Sequence, residues 1–184
     1  MDGVKKTTIM DGETMQRTLK RIAHQIIENT DGAKVLYLIG IQRRGVTIAN
    51  RIAKYIKEFE GVEVPLGTLD ITFYRDDLSK DSEQPVVGAT HIDFDVTDKK
   101  IILVDDVLYT GRTARAAMDA IMDMGRPDCI KFAVLVDRGH RELPIRADFV
   151  GKNVPTAAHE VISVKVTDFD GEESVDICDR KKDA

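Results

Sequence analysis

Ile101-Ile102-Leu103-Val104-Asp105-Asp106-Val107-Leu108-Tyr109-Thr110-Gly111-Arg112-Thr113 runs an apolar segment into two adjacent acids and then into a glycine turn. The opening run is short and rich in β-branched residues, as expected of a strand covered on both faces. Asp105 and Asp106 then stand at its carboxyl end, where open α/β sheets bind ligands. Thr110-Gly111-Arg112-Thr113 opens a helical pattern with Ala117, Met118, Ile121 and Met122 on its apolar side. A helix start offers unpaired N–H groups and a positive dipole end, glycine permits close approach, and threonine hydroxyls add hydrogen bonds. Paired carboxylates beside such a turn suit a ligand with vicinal hydroxyls and a phosphate on one sugar. The same letters also suit an ordinary strand-turn-helix junction capped by threonine. Neither Gly-x-x-x-x-Gly-Lys-Ser/Thr nor Gly-x-Gly-x-x-Gly occurs, which disfavours a nucleoside triphosphatase loop and a dinucleotide site.

Working outward, the elements alternate. Asp11 is placed to cap a helix through about Asn29, with Leu19, Ile22, Ala23, Ile26 and Ile27 on one face and Asp31-Gly32 as its stop. The pattern predicts a buried strand over Val35 to Ile41, a helix over Val46 to Phe59 and an alternating strand over Leu66 to Thr72. Polar residues dominate from Phe73 to Gln84, and Val86 to Val96 alternates around Gly88 as a hairpin flap would. Ile130 to Val136 reads as another buried strand. The expected fold class is α/β, a mostly parallel sheet with helices on both faces. Short segments at Asp148 to Gly151, Val161 to Val166 and Ser174 to Ile177 predict a small appended subdomain.

Composition bounds the function. With 184 residues, 42% apolar and 32% charged, the chain reads as one ordered globular domain. No apolar stretch reaches the roughly 18 residues of a membrane helix, and Met1-Asp2-Gly3-Val4-Lys5-Lys6 lacks the apolar core of a signal peptide, so a cytoplasmic location without membrane partners is expected. Cys129 and Cys178 lack metal-ligand spacing and are expected to be reduced. A net charge of −5 argues against indiscriminate nucleic-acid binding while leaving room for a local basic patch.

The strand, acids and turn at 101–113 resemble the signature of the type I phosphoribosyltransferase family, whose donor is phosphoribosyl pyrophosphate (PRPP). The resemblance implies that Asp105 and Asp106 hold the ribose hydroxyls and that Thr110, Gly111, Arg112 and Thr113 hold the 5-phosphate. Val107, Leu108 and Tyr109 complete the nucleotide-binding run. Gly40-Ile41-Gln42-Arg43-Arg44-Gly45 occupies the position of the family's pyrophosphate loop, and arginine's planar fork matches phosphate oxygens. Alone, Arg43 and Arg44 would read as solvated side chains near a helix start. Family members carry a non-proline cis peptide here, expected within Gln42 to Arg44. Tyr74-Arg75-Asp76-Asp77-Leu78-Ser79-Lys80 resembles the family's catalytic loop, so Arg75 joins Arg44 as a candidate for stabilising the leaving group. Mg²⁺ is implied as a cofactor arriving with the donor.

Base choice rests on the same resemblance. Related purine enzymes have an Asp where Tyr109 stands, and 6-oxopurine enzymes have a Lys at the position of Asp137, so a smaller base, uracil, is implied as acceptor. A carboxylate accepts, and uracil offers N3–H. Asp137 is otherwise an ordinary strand-end turn residue. Tyr109, Asp137 and Arg138 are the candidate base-binding residues.

Ile71-Thr72-Phe73-Tyr74-Arg75-Asp76-Asp77-Leu78-Ser79 and Val136 through Asp148 narrow the resemblance to family members that couple uracil phosphoribosyltransfer to regulation of a pyrimidine operon. It implies binding of leader mRNA strengthened by uridine nucleotides (UMP and UTP), and a homodimer or higher homo-oligomer. The candidate RNA surface is Lys20, Arg21 and His24 with His140, Arg141, Arg146 and Lys152. Residues 137–152 carry four Lys or Arg against three Asp or Glu, so composition alone does not point to RNA. A solvated helix face and fold support are the competing readings. The last thirty residues match that branch poorly and receive no expected function.

Overall fold

The computed structural model describes residues 3–30, 32–74 and 89–180. In chain order the elements are β1 (Val4–Asp11), α1 (Gly12–Glu28), β2 (Leu36–Ile41), α2 (Arg44–Glu60), β3 (Leu66–Leu69), β4 (Lys100–Leu108), α3 (Arg112–Met124), β5 (Cys129–Asp137), β6 (Phe149–Asn153), β7 (Glu160–Lys165), α4 (Thr167–Asp170) and β8 (Ser174–Asp179). Asp11 starts α1 as expected: its carboxylate accepts the Thr14 N–H at 2.8 Å. Met15, Leu19, Ile22, Ala23 and Ile26 form the buried face that the helical spacing demands.

Five strands form a parallel sheet in the order β3-β2-β4-β5-β6. Successive residues of β2, β4 and β5 point to opposite faces, so the sheet has two apolar cores. Leu38, Ile102, Val104 and Leu135 pack with α1 and α2. Ile39, Ile101, Leu103 and Val134 pack with α3. Each fully buried Leu or Ile contributes roughly 1.5–3 kcal/mol relative to exposure, which explains why β4 is apolar on both faces up to its acids.

Four expectations change in the folded chain. The segment at Asp148 to Gly151 belongs to the central sheet, because β6 pairs in parallel with β5 and the Asp148 carboxylate accepts the Phe132 N–H at 2.8 Å. The subdomain, or hood, is instead an antiparallel sheet β1-β8-β7 that recruits the amino-terminal strand. β1 lacked an apolar signature because Val4 to Thr8 are exposed; its place is set by backbone pairing with β8 from Val4↔Asp179 to Asp11↔Ser174. β3 stops at Leu69, where Asp70 accepts the Thr72 N–H at 2.8 Å and turns the chain into a short 3₁₀ segment. Of the expected flap, residues 89–96 make only an isolated bridge between His91 and Thr68, with Ile92 and Phe94 against the second core. The expected loop from Arg75 to Gln84 and the flap's start at Val86 lie outside the described residues.

The hood holds a buried carboxylate. Asp176 accepts Thr8 Oγ1 at 2.7 Å and Ser174 Oγ at 3.1 Å and pairs with Lys5 at 3.1 Å. Burial opposes its ionisation, but these partners outweigh burial and hold the carboxyl below its ordinary value. A depressed native pKa stabilises the fold above the unfolded carboxylate value of about 3.9, and that stability is lost as pH falls through the native value. Asp176→Ala is therefore expected to cost about 1–3 kcal/mol in urea unfolding at pH 7 by leaving the hydroxyls and Lys5 unpaired. Part of the gap from the parent chain should close in acid, where the parent chain loses the charge that the alanine variant never had.

Candidate active site

Every strand of the central sheet delivers its carboxyl end to one edge, and two connections there approach each other. β4 carries Asp105, buried, and Asp106, half-buried, and the Asp105 carboxylate accepts the Asp106 N–H at 2.9 Å. The chain then turns through Gly111, whose φ of 93° strongly favours glycine, into α3. Glu142 and Leu143 donate their N–H groups to Thr110 O at 2.9 and 3.1 Å, and Arg112 Nε reaches Glu142 Oε2 at 2.7 Å. The segment after β5 thus clamps the Thr110-Gly111-Arg112-Thr113 turn from outside.

The second connection joins β2 to α2. The peptide between Gln42 and Arg43 is cis, within the expected stretch. Gln42 is anchored at both ends, its N–H on Leu69 O at 2.9 Å and its side-chain amide on Ala89 O at 2.9 Å. A Cβ on Gly45 would lie 2.6 Å from Val104 O and 3.2 Å from the Cα of Asp105. Glycine here allows the start of α2 to rest directly on the end of β4, so that Arg44 lines one cavity with Asp106, while Arg43 is exposed and lines neither cavity at this edge.

Two adjoining cavities occupy this edge. One of about 390 Å³ is lined by Asp105 and by every residue from Val107 to Thr113. The other, about 410 Å³, is lined by Arg44, Asp106, Tyr109, Arg138 and the hood strand from Val161 to Lys165, with Asp170 and Arg180. Val107, Tyr109 and Arg180 line both. Arg138 is buried with its guanidinium 4.0 Å from the centre of the Tyr109 ring, donating to Thr156 Oγ1 at 3.1 Å and Glu160 O at 2.6 Å. Burial pushes its pKa below the ordinary arginine value, although an arginine so placed stays charged.

The remaining predicted residues separate into two groups. Asp137 does not line either cavity: its oxygens are taken by Arg141 and by the Gly139 N–H at 2.9 Å. Arg141 is turned inward, donating also to Ile145 O at 2.9 Å and Tyr109 O at 2.6 Å. His140 is exposed, with one ring nitrogen 2.6 Å from Thr156 O. Lys20, Arg21, His24, Arg146 and Lys152 are exposed. Arg21 reaches Gly151 O across the α1–β6 contact, bringing it next to Lys152; His24 stacks on Phe59 at 3.8 Å, and Lys20 lies 5.3 Å above the Tyr55 ring. Arg75 lies outside the described residues.

Sequence reasoning missed the hood's share of the site. Asp170 accepts Arg44 Nη2 at 2.9 and 3.2 Å, and Lys165, Asp170 and Arg180 line the same cavity as Asp106. Burial opposes the Asp170 charge, but the Val166 N–H and the Arg44 guanidinium prevail and keep the carboxyl below its ordinary value. The acidic run Asp168-Phe169-Asp170-Gly171-Glu172-Glu173 was the available signal, and it carries no ligand spacing.

The phosphoribosyl transferase domain family matches residues 6–168. The chain belongs to the phosphoribosyltransferase family. Among its relatives are proteins named "Bifunctional protein PyrR" from Caldicellulosiruptor saccharolyticus, 62% identical over 91% of this chain and 92% of that protein, and from Acetivibrio thermocellus, 60% identical over 97% of each. Similar solved structures include a hypoxanthine-guanine phosphoribosyltransferase from Bacillus anthracis (TM-score 0.70, 21% identity, 95% of this chain and 98% of that one). A Trypanosoma cruzi hypoxanthine phosphoribosyl transferase has a TM-score of 0.74 at 18% identity, over 97% of this chain and 93% of that one. The α/β phosphoribosyltransferase fold expected from the 101–113 stretch is the fold found.

In this phosphoribosyltransferase the contact at Gly45 is open to direct test. Alanine normally favours a helix over glycine by about 1 kcal/mol. Here its methyl would overlap backbone of β4, and overpacking of that kind costs about 1–3 kcal/mol. Gly45→Ala is expected to lower the urea midpoint; an unchanged or raised midpoint would show that α2 is not held against β4.

Proposed function

We propose that this phosphoribosyltransferase transfers the ribosyl phosphate of PRPP to uracil, releasing UMP and pyrophosphate, and also regulates a pyrimidine operon by binding leader mRNA in response to UMP or UTP. The observation that carries the catalytic half is the juxtaposition of two phosphate-suited connections, 105–113 and 42–45, at one sheet edge facing the hood. A sensor of UMP alone has no use for the second. Relatives about 60% identical named bifunctional support the regulatory half.

In this reading Asp105 and Asp106 hold the ribose hydroxyls, and residues 110–113 hold the 5-phosphate. The bond from the anomeric carbon to pyrophosphate breaks, uracil N1 bonds to that carbon, and the N1 proton passes to water or to the departing pyrophosphate. Positive charge develops on the sugar, so the adjacent carboxylates stabilise it, while Arg44 and Arg75 offset charge on the leaving group. Uracil lies by Tyr109 and the stacked Arg138, and Asp137 acts on the base pocket through the Arg141-held turn. Oxygen donors suit Mg²⁺, and Asp105 and Asp106 offer only those. Among the described residues, the convergent grouping of three potential ligands is His159, Glu160 and Asp179, none of which lines either cavity; Asp105 and Asp106 would hold Mg²⁺ together with oxygens of the donor. When bound, Mg²⁺ neutralises charge on pyrophosphate.

Lys20, Arg21, His24, Arg146 and Lys152 present donors for RNA, with His140 beside the Tyr109 ring, while Arg141 contributes by holding its loop. A homo-oligomer, at least a dimer, would repeat this modest surface. No helix among the described residues is long and apolar enough to cross a membrane, and a cytoplasmic location fits an mRNA partner. A uracil phosphoribosyltransferase without RNA regulation is the second reading, favoured by the inward use of Arg141.

Asp105→Asn and Asp106→Asn are each expected to reduce uracil turnover by roughly 2–4 kcal/mol of transition-state stabilisation with folding intact. Parent-level turnover in both would remove the ribose assignment. Uracil should be used and hypoxanthine refused, and hypoxanthine turnover matching uracil would overturn the base assignment. In leader-RNA titrations with UMP present, Lys20→Ala or Arg146→Ala should weaken binding by roughly 1–3 kcal/mol and leave uracil turnover unchanged. If the parent chain binds no leader RNA, the enzyme-only reading stands.

A further inference from the structure

Three polar side chains on one face of α2 are each gripped by the acidic segment between β7 and β8. Arg44, Thr47 and Arg51 follow the three-and-four spacing that aligns residues on a helix. Arg44 Nη2 donates to both Asp170 oxygens at 2.9 and 3.2 Å, Thr47 Oγ1 donates to Asp168 at 2.9 Å, and Arg51 pairs with Glu173 at 2.5 Å. The hood is thereby tied to the helix that begins at the cis Gln42–Arg43 peptide.

The first of these ties differs from the others, because Arg44 lines the cavity that Asp106 also lines. Its Nε is shielded from solvent and has no hydrogen-bond partner among the described residues. A guanidinium offers five N–H donors, and Asp170 occupies only the Nη2 corner. Asp170 is itself fixed, since its Oδ2 accepts the Val166 N–H at 2.9 Å. An arginine held at one corner has already lost much of its rotamer freedom, so a second anion binding at the remaining edge loses less.

We propose that Asp170 is a positioning residue for the leaving group: it holds Arg44 by Nη2 so that the donors of the guanidinium left over on the cavity side are presented to the donor's pyrophosphate. The proposal rests on the phosphoribosyltransferase reading of the site and gives a role to a segment whose sequence had none. Asp170 need not touch the substrate. Its carboxylate acts through Arg44, and the gain in order outweighs the charge it offsets.

The test uses the full chain and two ligands that share the enzyme but not this subsite. Magnesium pyrophosphate and UMP are titrated separately, by calorimetry, into the parent chain, Asp170→Asn and Asp170→Glu. Asparagine keeps an acceptor for the Val166 N–H and removes the charge from Arg44, so the local turn is retained. Pyrophosphate is expected to bind Asp170→Asn about tenfold more weakly, the scale of one charge-assisted hydrogen bond, with UMP affinity unchanged. The KM for PRPP should rise while that for uracil holds, and Asp170→Glu should recover part of the loss. Pyrophosphate binding as tight as in the parent chain would overturn the proposal, and tighter binding would make Asp170 a competitor for Arg44. Equal loss of UMP and pyrophosphate would reduce it to general fold support and equally overturn it. A parent chain that binds UMP but no pyrophosphate would instead remove the underlying reading of the 42–45 loop.

Discussion

The close contact between the start of α2 and the end of β4 is the constraint on which the site depends. At Gly45 a helix rests on the backbone of Val104 and Asp105 at a separation that leaves no room for a side chain. That contact brings a loop with two arginines to a strand end with two carboxylates, although about sixty residues separate them in the chain. Parallel sheets make such meetings possible, because every strand ends at the same edge and the loops there are free to differ. The apolar layers beneath, with β4 buried on both faces, keep the edge rigid enough for the meeting to be reproducible.

The hood completes the site from the two ends of the described chain. β1 is nearly all polar or exposed, and it is held by its ladder to β8 and by Lys5, Lys6 and Thr8 reaching Asp176 and Glu160. These polar ties follow a different logic from the apolar packing below. They contribute little where exposed and matter most at Asp176, where an unpaired charge would have no water to turn to. The hood's stability therefore depends on the protonation of Asp176.

Arginine is used in three ways around the cavity. Arg141 spends its donors on carbonyls and on Asp137, which fixes the turn after β5. Arg138 lies buried across the Tyr109 ring and satisfies its donors on Thr156 and Glu160, making a firm apolar-and-cationic wall. Arg44 is the one of these three with a shielded donor left unpartnered among the described residues. A residue count would treat the three alike. Their environments separate them, because burying a guanidinium is tolerable only where its N–H groups find acceptors: Arg141 and Arg138 find theirs, and Arg44 lines the cavity with one N–H shielded and unpaired among the described residues.

Much of this was legible in the amino-acid sequence. The β-branched run into Asp105 and Asp106, the Gly111 turn and the helical spacing of α1 and α3 are local signals, each set by periodicity or by a conformation that favours one residue type. Those signals determined the α/β class, the nucleotide-suited edge and the cap at Asp11. What sequence could not supply was pairing between distant segments: a polar β1 joined to β8, β6 returned to the central sheet without a helix, and an acidic run seated on α2. Nor could it tell that Arg141 faces inward while Arg44 lines the cavity. Backbone ladders and ion pairs carry no periodic signature, since their partners are chosen by proximity in space, and proximity across more than a hundred residues exists only once the sheet has formed.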